Sequence, residues 1–199
     1  MSHRRGGGGF SLIEASLALA FLGILLVVVV PVSAATLTRA RVAAAAMDMA
    51  ATFARLRAQA IAEHRRVGLR FTTGPGPVSF AVYADGDGDG VRSDDIASGR
   101  DPRLEPPRDL ASHYDGIDFG VLATSIPEVP PQSGAILPGD DPIRFGSADI
   151  VTFTPWGTAT GGSVFVSDGH DTVCAVVLYG KTGRLRTFRL DRSANRWVD

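Results

Sequence analysis

Apolar residues crowd the first part of the chain. From Phe10 to Thr38 they run with one charge, Glu14, among them. A run of that length predicts a helix able to cross a bilayer, for which about 20 apolar residues suffice. His3, Arg4 and Arg5 precede it, an arrangement that keeps the N-terminus in the cytoplasm and sends the remainder across. After Pro31 the pattern turns amphipathic. Val42, Ala46, Met49, Phe53, Leu56 and Ala60 recur at spacings of four, three, four, three and four, with Arg41, Asp48, Arg55, Gln59 and Glu63 off that stripe. A stripe of this kind needs a cover, and a sheet laid against it is the natural one. Unbroken helix from Phe10 to His64 would be roughly 80 Å long. The run Ala43–Ala46 adds a thin, closely packing face, or simply high helix propensity.

Beyond Arg66 the period becomes that of strands. Val67–Phe71 and Val78–Tyr83 flank a Gly- and Pro-rich turn, and further candidates are Ile117–Leu122, Ile143–Phe145, Ile150–Thr154, Ser163–Val166, Val173–Tyr179 and Arg184–Leu190. Many short strands joined by glycine-rich turns predict an antiparallel, sandwich-like domain. The fold class is therefore α+β: a long N-terminal helix, with a membrane half and an amphipathic half, packed on a β-sandwich-like C-terminal domain. The divisions are 1–9 as leader, 10–38 as membrane half, 39–66 as amphipathic half and 67–199 as β domain. Gly86–Asp115 and Thr124–Pro142 read as long loops.

Composition adds little beyond this. The net charge is −1, but residues 85–118 hold ten acids against four arginines and residues 184–199 hold five arginines against two acids. Cys174 is the lone cysteine and lies in an apolar strand, so no intrachain disulfide forms.

Glu14 stands out, because a carboxylate near the membrane costs about 3 kcal/mol unless it has a partner. Gly9-Phe10-Ser11-Leu12-Ile13-Glu14 before an apolar helix resembles the class III signal of type IV pilins and of the pseudopilins of type II secretion. The resemblance implies that a membrane-embedded prepilin peptidase cuts between Gly9 and Phe10 and methylates Phe10. It also implies that Glu14 pairs with the free amine of a neighbouring subunit during assembly. Pro31 falls where many such helices carry a kinking proline. Two plainer readings compete: a secretory signal cleaved near Val32-Ser33-Ala34, and a single-pass anchor in which Glu14 is incidental. In the second half, Ile150–Thr158 with Gly161-Gly162-Ser163, and Gly180-Lys181-Thr182-Gly183-Arg184-Leu185-Arg186, are similar to the GspH/FimT family of minor pseudopilins and minor pilins. The resemblance covers most of the chain apart from the two loops.

Chemistry-bearing clusters are few. Asp85, Asp87 and Asp89 alternate with glycines like the opening of an EF-hand loop, in which Val91 would give its carbonyl, so calcium is the one candidate cofactor. The twelfth position is Ile96 where a bidentate Glu belongs, and a solvated acidic turn is the simpler reading. No HExxH, CxxC or GxSxG occurs, and no catalytic residue is assigned. Arg184 and Arg186 alternate with Leu185 and Phe188 on a terminal strand and suit phosphates. Gly183-Arg184-Leu185-Arg186 matches the Gly-Arg-x-Arg motif implicated in DNA binding by FimT-like pilins; charge on an edge strand is the plainer account.

The resemblance implies a structural subunit and not an enzyme: a minor pseudopilin of the type II secretion pseudopilus, involved in protein export. Its expected partners are other pseudopilins or pilins, the prepilin peptidase and the inner membrane. The expected location is the bacterial inner membrane, single-pass, with the N-terminus cytoplasmic and the C-terminal domain periplasmic. The alternative is a type IV pilus minor pilin that binds DNA for uptake.

Overall fold

The computed structural model describes residues 11–199, with the side chains of Leu26 and of residues 28–34 left aside. One long helix, α1 (Leu12–Ala62), is followed by β1 (Val67–Thr72), β2 (Ser79–Ala84) and a short helix α2 (Ser93–Ser98). Then come β3 (Arg108–Asp109), β4 (Asp118–Phe119), β5 (Ile126–Pro127), β6 (Ala135–Ile136) and β7 (Ile143–Arg144). The last five strands are β8 (Ile150–Phe153), β9 (Gly162–Ser167), β10 (Val173–Tyr179), β11 (Arg184–Asp191) and β12 (Arg196–Val198). Contacts divide the chain into two compact units between Thr38 and Arg39.

In the second unit, strands form a sheet in the order β3-β2-β1-β8 and another in the order β12-β11-β10-β9-β4, with β7 also on β9. Every pairing in both is antiparallel. The predicted stripe is what these sheets cover. Val42, Ala46, Met49, Phe53, Leu56 and Ala60 are all buried, in one core with Leu69 and Phe153 of the first sheet and Val164, Val176 and Leu178 of the second. Phe53 meets Phe145 edge-on at 5.7 Å and Phe71 meets Phe119 edge-on at 5.4 Å, while Phe153 lies tilted against Phe53 at 6.0 Å. Edge-to-face rings at these distances gain quadrupole attraction beyond their buried area. The fold is α+β, with the helix packed on antiparallel sheets.

The other face of the second sheet has its own core. Phe165, Ala175, Val177, Phe188 and Leu190 lie under Leu122, Ile126, Val129 and Ile136. Ile126, Val129 and Ile136 belong to the stretch 124–142, expected to be a loop; it carries the β5–β6 hairpin instead. Trp197 of β12 closes this core, donating its indole N–H to the carbonyl of Pro127 at 2.9 Å. The other expected loop, 86–115, contains α2 and is fastened from inside. The buried Asp101 carboxylate accepts the N–H groups of Gly86 at 3.0 Å and Arg92 at 2.9 Å. Val91 packs so tightly on β1 that a Cβ at Gly68 would lie 2.6 Å from its own Cβ.

Two smaller features complete the domain. Asp168-Gly169-His170-Asp171 is the turn between β9 and β10, where Asp168 Oδ1 accepts three backbone N–H bonds at 2.9 Å from His170, Asp171 and Thr172. Cys174 is a buried strand thiol, and burial pushes its pKa up to about 11.

Candidate functional site

Gly9 and Phe10 lie outside the described residues. Glu14 does not. Its carboxylate accepts the backbone N–H of Ser11 at 3.1 Å, while Ser11 Oγ accepts that of Ile13 at 3.3 Å. That pair resembles a capping box with the hydroxyl on the N2 rather than the N3 amide, and it satisfies orphan donors at a helix start. The Ser-x-x-Glu spacing carries the signal, and the sequence reading passed over it. Leu12, Ile13, Leu17, Leu19, Phe21, Ile24 and Val27 are all exposed along this half of α1. Among the residues whose side chains are described, no helix is long and apolar enough to cross a membrane. The apolar run expected to do so includes Leu26 and residues 28–34, whose side chains fall outside that set.

The carboxylates of Asp85, Asp87 and Asp89 do converge, lying within 4.8 Å of one another. Their charge is already matched. Asp85 faces Arg66, Asp87 faces Arg100 and Asp89 faces Arg92 at 2.8 Å. Asp85 also accepts the N–H groups of Gly88 at 2.7 Å and Gly90 at 2.9 Å. Asp95, which follows the loop, is itself engaged by Arg100 at 2.7 Å. Val91 turns its side chain into the protein. This donor set lacks the bidentate carboxylate of a full calcium loop and fits a charge-balanced turn better than a cage. Millimolar calcium is expected to leave the melting temperature unchanged, because only an ion that binds the folded state raises it. A calcium-dependent rise that disappears in Asp87→Ala would show that the cage forms.

The two glycine-rich stretches behind the family resemblance meet at one side chain. Arg57, on the buried face of α1, donates Nε–H to the carbonyl of Gly157 at 2.8 Å and reaches that of Thr182 at 3.3 Å. Gly157 and Gly183 both have positive φ, 79° and 61°. A Cβ on Gly183 would fall 2.2 Å from the Gly157 carbonyl oxygen and 2.5 Å from Arg57 Nε. Ala159 donates its N–H to the Gly180 carbonyl at 2.8 Å, and a Cβ on Gly180 would lie 2.6 Å from the Ala159 oxygen. The motifs are thus a junction where helix and both turns lock together. Sequence reasoning missed Arg57, although an arginine four residues after Phe53 on an apolar face was the available clue.

On the last strands, Arg184 and Arg186 share a face, but Phe188 lies on that same face and not opposite. The Arg186 guanidinium sits 4.8 Å from the centre of the Phe188 ring and grips both carboxylate oxygens of Asp199, Nε to Oδ1 at 3.3 Å. This hydrogen bond holds the Asp199 carboxyl below its ordinary pKa. Arg184 and Lys181 have no acidic side chain in salt-bridge contact among the described residues. With Tyr179, Gly180, Thr182 and Arg186 they line a groove of about 470 Å³.

No curated protein and no solved structure matches the chain. The family model described as type II transport protein GspH matches residues 45–183. That span takes in most of the covered half of α1, the first sheet, strands β4, β7, β9 and β10 of the second, and the Arg57 junction with its two glycine turns; β11 and β12 lie beyond it. The chain belongs to the GspH family of type II transport proteins.

Proposed function

We propose that the protein is a structural subunit, a minor pseudopilin of the type II secretion pseudopilus. Residues 10–38 hold it in the bacterial inner membrane, and its β domain stands in the periplasm. One observation carries the reading. Beside the buried stripe, α1 bears a second one: Ala40, Ala44, Met47, Ala51, Ala54, Ala58 and Ile61, all exposed. They alternate at spacings of four and three, the 3.5-residue period with which helices pack along one another. Small residues at most of these positions let a second backbone approach closely. Family membership names the occupant: the helices of other pseudopilins in the filament. Glu14 meets the amine of a neighbour within the same bundle.

Processing follows from the same reading. Prepilin peptidase cuts between Gly9 and Phe10, and loss of nine residues from 199 leaves a methylated chain of 190. Mass spectrometry of the protein purified from bacterial membranes is expected to find that terminus. A terminus at Ala35, the outcome for an ordinary secretory signal, would sink the reading. The DNA-binding alternative rests on Arg184 and Arg186, with Lys181 beside them on the same groove. Against it, Arg186 is already held by Asp199 and the net charge is −1.

A further inference from the structure

We propose that the open edge of β11, from Arg184 to Thr187, takes an acidic, extended segment of a partner protein as an added strand. Among the described residues, β11 is paired with β10 from Arg184 to Arg189 but with β12 only from Arg189 to Asp191. The segment Arg184–Thr187 therefore presents alternate N–H and C=O groups on its free side, the template for strand addition. Other long strands hide theirs. Leu104 donates to the Val82 carbonyl at 2.7 Å along β2, and Thr160 donates to the Thr152 carbonyl at 2.9 Å along β8.

The charge at this edge selects the occupant. Lys181 and Arg184 stand beside it with no carboxylate in salt-bridge contact among the described residues, at the mouth of the groove. Arg186 already displays how the edge recognises an anion. The register that sets Val198 opposite Arg189 brings Asp199 opposite Phe188, and its carboxylate reaches diagonally to Arg186. A strand continuing along the edge would place a residue opposite Arg186, and a carboxylate there reaches Arg184 by the same diagonal. Fork-shaped guanidinium–carboxylate pairing makes this geometry specific for Asp or Glu. The chain's own most acidic stretch is a poor occupant, because Arg66, Arg92 and Arg100 already neutralise it. The segment belongs to a different protein. The edge works the same way whether or not the chain enters a filament.

Fluorescence anisotropy on the full chain in detergent tests this. The probe is fluorescein-labelled Glu-Val-Glu-Thr-Glu-Val-Glu-Thr. Saturable, salt-sensitive binding is expected, weakened about tenfold by Arg184→Glu, as for one lost charge-assisted bond. Lys181→Glu, on the exposed turn, is expected to act in the same direction with the melting temperature unchanged. A probe with proline in place of both valines is expected to fail, since proline cannot donate to a ladder. Equal binding of the proline probe, or binding that survives both charge reversals together, would overturn the proposal. Binding of a short duplex DNA in place of the peptide, lost in Arg184→Glu, would overturn it too and assign the face to nucleic acid.

Discussion

Gly183→Ala is expected to cost the β domain about 4 kcal/mol, enough to unfold many domains of marginal stability. Three effects combine there. An alanine at φ 61° carries left-handed strain of about 1 kcal/mol. Its Cβ would overlap the Gly157 carbonyl oxygen at 2.2 Å, and that atom is backbone, so the turn itself has to move. Moving it breaks the bond from Arg57, leaving a partly buried guanidinium and carbonyl unmatched at about 1–3 kcal/mol. Gly169→Ala is the control. Its φ is 73°, but nothing lies within 4 Å of the added Cβ, so only the left-handed strain of about 1 kcal/mol remains. Chemical denaturation of the two variants beside the parent gives the comparison. Equal losses at the two sites would show that the junction tolerates displacement and that Arg57 does not lock it.

The second large effect falls on assembly and spares the fold. Ala51→Arg with Ala58→Arg puts two charges on the exposed stripe of α1, away from Phe53 and Leu56. Both positions face solvent in the single chain, so stability is expected to change by no more than about 0.5 kcal/mol. Against a packed neighbouring helix the same arginines have no room and no counter-charge. Secretion that depends on this subunit is expected to fall to the level of a deletion, with the variant present in normal amount. Wild-type secretion from a stably expressed double variant would mean that the stripe is bare in the filament.

How much of this was legible in the sequence depended on period and length. The buried stripe from Val42 to Ala60 was plain, because nineteen residues of strict spacing leave helix as the one periodic solution. Strands with continuous apolar runs, such as Val173–Tyr179, were plain for a similar reason. The β5–β6 hairpin was hidden, since its two-residue strands sit among prolines and gain their order from Phe165 and Trp197 far along the chain. Helix α2 was hidden likewise, its loop being fastened by the buried carboxylates of Asp95 and Asp101. At the N-terminus Gly9, Phe10 and Glu14 came from motif resemblance, and the capping role of Glu14 was legible in the Ser-x-x-Glu spacing though overshadowed by that motif. Arg184 and Arg186 were visible as charges, but their separate states were not: one is held by Asp199 and the other has no acid in contact. The exposed stripe was present in the sequence too. It became informative only once the fold established which face of α1 the sheets cover.

That stripe offers the most direct test of the pseudopilin assignment. A photoreactive phenylalanine analogue replaces Met47, which is 64% exposed, in cells carrying the complete secretion system. The same analogue at the exposed Ser193 serves as control. The account predicts ultraviolet-dependent adducts between position 47 and another pseudopilin, identified by mass spectrometry, and none from position 193. Absence of pseudopilin adducts at 47 in secreting cells would contradict it.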